Sequence, residues 1–407
     1  MNRAWLILLG AAVLAPLVTW LPMLAHAVPG LGLPMYFAGA RGVAVGIDVW
    51  GMHVLWTCIL LMIATLAWRY DRLLAVAVAL IAWPVFVRGG TMNLTHTLVF
   101  AAGVAMLCAL RSVPASAHRP IRYVLAASGV FQMGYALGQK WLAVDPLWNP
   151  QTFGLSGIRF AVPSGGWYGF APLVEHPQPL GTLGTVDALG AYAAITTALL
   201  PAWLIPLGIA TVLTSKSWGA LAALVIGLLV RYRAVIFRKH DEGGWHLVAA
   251  GSAASVVLIA LPLLTKSTES FWARLIIIDF GATVGWLNAK WMGFGLGGWQ
   301  HVIPFAQQAF TVMPTRELFA EAHSEPLQWF VETGLAGLAL LVAWLWMRRA
   351  IFTHPTWGAP CAALAVSSLG FFTFHVVPVA LLGLVVVGLA LASSPGEPAE
   401  LQPSHAR

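Results

Sequence analysis

Residues 326–349 read PLQWFVETGLAGLALLVAWLWMRR, an almost unbroken apolar run that ends on two arginines. A bilayer core about 30 Å thick needs roughly 20 such residues in one helix. Glu332 is the one ionisable residue before the charge resumes at Arg348 and Arg349. An ionisable group inside a span marks a functional candidate, because lipid makes it costly to keep there. Outward from this run the pattern repeats near 4–24, 52–68, 73–88, 93–110, 121–138, 186–200, 202–215, 217–232, 245–264, 357–373 and 375–393. Pro201 divides one continuous apolar run into two tight helices. The expectation is an all-α polytopic membrane protein with about twelve transmembrane helices. They form a single domain over 1–393, and the Ser-, Pro-, Glu- and Gln-containing tail 394–407 reads as a short disordered cytoplasmic end.

Composition agrees. Of 407 residues, 59% are hydrophobic and 9% charged, where a soluble globular chain carries about 25% charged residues. With a mean hydropathy of +0.80, these figures exclude a water-soluble enzyme, a disordered chain and a disulfide-stapled scaffold. Cys58, Cys108 and Cys361 all sit in apolar runs and read as small hydrophobes. The net charge of +7 reads as basic loops facing the cytoplasm, with no nucleic-acid partner. Connections 69–72, 111–122, 231–242 and 347–356 carry Arg69, Arg72, Arg111, Arg119, Arg122, Arg231, Arg233, Arg238, Lys239, Arg348 and Arg349. An excess of Lys and Arg in short loops marks the inside face, so both termini are expected inside. Arg3, an apolar stretch and Ala25-His26-Ala27 resemble a signal peptide, but the stretch is long for one, and a retained first helix is expected.

Two outward segments break the pattern of tight connections, one near 139–185 and one near 265–325. Loops longer than about 15 residues are usually functional or disordered. Trp141, Trp148, Trp167, Trp272, Trp286 and Trp299 argue for packed, interfacial structure, so any chemistry is expected at this periplasmic face. In the second segment, 271–300 reads FWARLIIIDFGATVGWLNAKWMGFGLGGWQ. Arg274 and Asp279 lie in an apolar context suited to a helix against the membrane. Gly293, Gly295, Gly297 and Gly298 then form a turn whose backbone can approach a ligand closely. A dinucleotide site is excluded by the spacing and by the lack of a βαβ unit. Residues 321–337, EAHSEPLQWFVETGLAG, set His323 just before the span, with Ser324 placed to cap it.

His323, Leu327, Gln328, Glu332, Gly334 and Gly337 follow the pattern H-N-x-x-L-Q-x-x-x-E-x-G-x-x-G and so resemble the O-antigen ligase/polymerase superfamily. Arg274 followed by Gly293-Phe-Gly295-Leu-Gly297 resembles that family's approach to the histidine loop. Gly181-Thr-Leu-Gly184-Thr-Val-Asp187 and Thr214-Ser215-Lys216-Ser217-Trp-Gly219 resemble its upstream segments. The likeness covers about 180–390. Lys216 stands where the family has Arg, Ser324 where it has Asn, and Asp187 near a usual Asn.

The resemblance implies a GT-C-like glycosyltransferase of the bacterial inner membrane. Its donor is a glycan on undecaprenyl diphosphate, and its acceptor a hydroxyl of lipid A-core or of a growing glycan. It implies His323 as catalytic base, with Arg274 and Lys216 on the diphosphate, and no cofactor or metal. Glu332, Gly293 and Gly295 become candidate substrate-binding residues or supports of the site. Arg159, His176, Asp187, Asp279 and Arg316 are candidate donor or acceptor contacts. His301, His354 and His375 show no metal-ligand spacing. The size without a further domain leans towards ligation of a finished polymer over repeat-unit polymerisation. A lipid-linked glycan flippase is the alternative from another class, and it would ordinarily carry internal repeats.

Overall fold

A computed structural model describes residues 49–88, 94–142, 183, 186–236, 268–299, 302, 303, 306, 322, 324–370, 374 and 377–393. The expected spans at 4–24 and 245–264 and the tail lie outside these residues. Regular structure among the described residues is all helical. The helices are α1 Val49–Trp68, α2 Arg72–Arg88, α3 Leu94–Leu110, α4 His118–Leu142, α5 Val186–Thr197 and α6 Ile205–Ser215. Then follow α7 Trp218–Ile236, α8 Thr268–Ala289, α9 Glu325–Met347, α10 Gly358–Gly370 and α11 Val377–Ala392. Short 3-10 turns at Ala115–Ala117, Ala202–Leu204 and Arg349–Thr353 join neighbours.

Among the described residues, α9 alone is long and apolar enough to cross a membrane unaided. The pair Phe100–Leu110 and Ala115–Gly138, bent by 109°, is a second candidate, and further apolar helices run to 10–17 residues. The run is divided at Pro201 as the sequence implies: α5 stops at Thr197, and Pro201 opens the 3-10 turn Ala202–Leu204 that leads into α6. Within the segment 265–325, the apolar context of Arg274 and Asp279 forms a helix as expected, the 22-residue α8.

Helix α5 is the centre of the main core, with every residue from Ala188 to Thr197 buried. Its small side chains let neighbours approach closely. A Cβ on Gly190 would meet Ala220, Ser215 and Ser217, while Gly129 faces Thr196 and Gly208 faces Thr197. Small residues at such crossings gain dispersion contacts that lipid tails cannot match. Leu189, Tyr192 and Ile195 of α5 share the core with Leu125 and Met133 of α4 and with Trp357. Helices α1–α3 pack a second cluster that includes Leu296, and α8 with α9 packs a third around Trp299.

One end of the bundle is rich in arginine. Buried Asp71 caps α2, its Oδ1 accepting the Leu73 and Leu74 N–H groups at 3.1 Å each. Its Oδ2 accepts from Trp344 Nε1 at 3.0 Å and from Arg348 Nε at 3.1 Å, with Arg111 Nη1 at 3.9 Å. Arg122 donates to the Leu199 carbonyl at 3.3 Å, and Arg231 to Ala198 at 3.3 Å, so cations close the C-terminal end of α5. Arg233 reaches the Phe352 and Thr353 carbonyls. His118 Nδ1 accepts from Trp357 Nε1 at 3.2 Å and pairs with Ser393 Oγ at 3.1 Å. The connections that the charge pattern assigns to one side thus meet at one end. Exposed Trp68, Tyr123, Trp203 and Trp346 lie on segments that reach that end, and exposed Trp141 and Trp218 lie at helix ends away from it. Exposed Leu61, Met62, Val76, Leu80, Ile209 and Val342 lie between.

Candidate functional site

Helix α9 is broken ten residues after Ser324, about 15 Å along its axis, where Gly334 adopts φ 70° and ψ −171°. Such a break frees the carbonyls of Val331 and Glu332 and the N–H groups of Leu335 and Ala336 from one another. The turn after α8 takes up all four. Phe294 N–H donates to the Val331 carbonyl at 3.0 Å and Gly295 N–H to Glu332 at 2.8 Å. Leu335 N–H in turn donates to the Lys290 carbonyl at 2.7 Å, and Ala336 N–H to Trp291 at 3.1 Å. Residues 290–295 are spliced into the helix. Irregular backbone inside a helical bundle is tolerated only where it is re-satisfied in this way.

Two glycines make the splice possible. Gly293 has φ 70°, and a Cβ there would land on the Glu332 carbonyl; a Cβ on Gly334 would land on that of Trp291. Each backbone occupies the place of the other's side chain. Gly295 at φ 91° and Gly297 at φ 73° complete the turn.

Below the splice, α8 and α9 run side by side in the same direction. Gly281 faces Leu327, and Gly285 faces Phe330 and Val331. Ile277 and Ala322 share the cluster around buried Trp299. The Arg274 backbone lies in α8, about one turn before Ile277, and therefore near the start of α9. His323 itself lies outside the described residues, but both neighbours are described. Ala322 is fully buried, and Ser324 holds the N-cap position with no side-chain cap bond.

Gln328 and Glu332 follow on the buried face of α9, 1% and 3% exposed. Gln328 Nε2 donates to Glu332 Oε1 at 3.2 Å, while its Oε1 accepts the Ala322 N–H at 3.4 Å. The Gln328 N–H donates to the Ser324 carbonyl at 3.0 Å. Glu325 Oε1 accepts the Phe374 N–H at 2.6 Å, which ties the α10–α11 connection to the same end.

Lys216 ends α6 in the left-handed conformation, φ 55°, with its side chain exposed and its N–H donating to Leu213 at 3.2 Å. Asp187 lies in the first turn of α5, one turn from Gly190, which itself contacts Ser215 and Ser217. Lys216 and Asp187 therefore form one group, on α5 and α6. Gly293, Gly295 and Glu332 form the other, on α8 and α9. Both lie away from the arginine-rich end, because α6 rises from it and α9 descends to it. Asp279 is exposed on α8. Arg159, His176, His301, Arg316 and His375 lie outside the described residues, as does the Arg274 side chain.

Two features were not singled out from sequence. Gln328 was quoted only as part of a pattern, although its spacing of four from Glu332 puts both on one helix face. Lys290 stands between Trp286 and Trp291, its ammonium 5.7 and 5.9 Å from their rings. Among the described residues no three His, Cys, Asp or Glu side chains converge as a metal site would require.

The class these features define is an all-helical bundle with one broken helix clasped by a glycine turn. No protein-family model matches the chain, and no curated protein matches it.

Proposed function

We propose that this chain is a polytopic glycosyltransferase of the bacterial inner membrane, with about twelve spans, both termini inside and its site at the periplasmic face. It moves a glycan from undecaprenyl diphosphate to a hydroxyl acceptor, in the manner of the O-antigen ligase/polymerase superfamily that its motifs resemble. The observation that carries the reading is the splice. Gly293, Gly295, Glu332 and Gly334 belong to two motifs that are about 40 residues apart in the chain, and here they close on each other's backbone, about 15 Å along α9 from the His323 segment. The exposed aromatics at the arginine-rich end, with exposed apolar side chains beyond them, support the membrane placement.

In this reading the acceptor hydroxyl attacks the anomeric carbon as its proton passes to neutral His323. The bond from that carbon to the diphosphate oxygen breaks, and its electron pair leaves with undecaprenyl diphosphate. Negative charge grows on the leaving group, and Arg274 and Lys216 stabilise it as fixed cations. Asp187 and Arg159 line the approach of the glycans, Gly293 and Gly295 support the site through the splice, and inversion follows from a single displacement. Ligation onto lipid A-core is the preferred acceptor chemistry, and repeat-unit polymerisation is its alternative.

The test is transfer by the purified protein in detergent, given a polyprenyl-diphosphate glycan and a hydroxyl acceptor, with no nucleotide and with chelator present. Transfer is expected. Loss of all activity on chelation contradicts the cation-based mechanism, and movement of the lipid-linked donor across a bilayer without transfer favours a flippase.

A further inference from the structure

We infer that Gln328 is a positioning residue whose amide clamps the segment carrying His323, with Glu332 fixing which way round that amide sits. The role in turnover rests on the glycosyltransferase reading; the clamp itself rests on geometry.

Gln328 holds one neighbour of His323 with its side chain, and its ordinary helix bond meets the other. Its side-chain Oε1 accepts from Ala322 N–H at 3.4 Å and its main-chain N–H donates to Ser324 at 3.0 Å. The Ala322 N–H can only donate, so the amide must turn its oxygen that way. The NH2 group then faces Glu332, whose Oε1 accepts from it at 3.2 Å. The reverse orientation would set two donors, the amide NH2 and the Ala322 N–H, against each other.

Glu332 is in turn held by the splice, since its own carbonyl takes the Gly295 N–H at 2.8 Å. A continuous hydrogen-bonded chain therefore runs from the glycine turn through Glu332 and Gln328 to the peptide that precedes His323. Every side chain in it is at least 97% buried, so water does not compete readily for these bonds. A general base has to lie within about 3 Å of the proton it takes. A displacement of about 1 Å can cost some hundredfold in rate, so a clamp on the flanking peptide acts directly on turnover.

The experiment compares the full-length wild type in detergent with Gln328→Met, Gln328→Glu, and the double swap Gln328→Glu with Glu332→Gln. Two quantities are read: deuterium exchange of the peptide covering 320–326, and kcat and KM for transfer from a polyprenyl-diphosphate glycan. Gln328→Met keeps the volume but removes the bonds to Ala322 and Glu332, and Gln328→Glu sets two carboxyl groups side by side without the amide N–H between them. Each should speed exchange about tenfold and lower kcat about a hundredfold, with KM for the donor little changed. The double swap should restore slow exchange, because a carboxylate at 328 accepts from Ala322 N–H and from the amide at 332. A role in folding alone would not predict that recovery. Unchanged exchange in the single variants, or a double swap no better than Gln328→Glu, overturns the clamp. Wild-type protein that transfers no glycan while exchange behaves as expected overturns the glycosyltransferase reading alone. If Gln328→Met does not fold, the comparison of Gln328→Glu with the double swap still decides.

Discussion

Lys216 occupies a backbone region that costs a side chain about 1–2 kcal/mol and that glycine enters freely. Its φ of 55° closes α6 at a place where glycine would serve stability better. Strain kept at one position points to a task for that side chain. Lys216→Gly is therefore expected to raise the melting midpoint while lowering transfer, and Lys216→Arg to leave transfer near the wild-type level. Arg274→Lys should lose most activity, since an ammonium lacks the fork that binds a diphosphate at two points. His323→Ala should cut turnover by roughly 10²–10⁴-fold with donor binding little changed. Paired melting curves and transfer rates check all four; His323→Ala that abolishes donor binding and leaves turnover intact would move the base to Asp279, Glu325 or Glu332.

At the scale of elements, the clasp between α9 and the turn after α8 is the feature most sensitive to a single methyl group. Gly293→Ala and Gly334→Ala each force a left-handed alanine, at about 1–2 kcal/mol. Each also drives a Cβ into the partner's main chain, where no flexible side chain can yield. The expected result is a large fall in the melting midpoint or in folded yield for both variants. Gly134→Ala is the control. A Cβ there meets nothing within 4 Å, and alanine favours the helix by about 1 kcal/mol. Equal melting of Gly334→Ala and wild type would mean that α9 does not carry the break. The same clasp explains why residues 326–347, which read as one continuous span, form two helical halves. Hydropathy registers the apolar run but not the backbone exchange that interrupts it.

For the whole molecule, the arginine-rich end carries a pH dependence. His354 Nδ1 accepts from the Thr356 and Trp357 N–H groups at 3.1 Å each, so the imidazole must be neutral to hold the entry to α10. Burial lowers its pKa, with positive charge at His118 and Arg233 adding to the effect. The unfolded chain takes up this proton first, at about pH 6.5. The stabilisation is therefore complete above that value and is lost as pH falls through and below it. The melting midpoint should drop between about pH 7.5 and pH 5, and His354→Asn should flatten the drop, since an asparagine oxygen accepts the same two bonds without titrating. A pH profile unchanged by that substitution would assign the dependence elsewhere.

The sequence alone determined the helical class, the positions of the described helices and the connections that share an end. Apolar run length and arginine placement are local properties that each segment carries by itself. It also marked Gly293, Gly295, Glu332 and Lys216 as exceptional, because glycines and charges stand out against apolar surroundings. It did not reveal that Gly293 and Gly334 close on each other, that α8 runs alongside α9, or that Asp71 joins α2 to Arg111 and Arg348. Nor did it give Gln328 a role. These are contacts between residues distant in the chain, and a backbone carbonyl left free by a broken helix finds its donor only once two segments have packed.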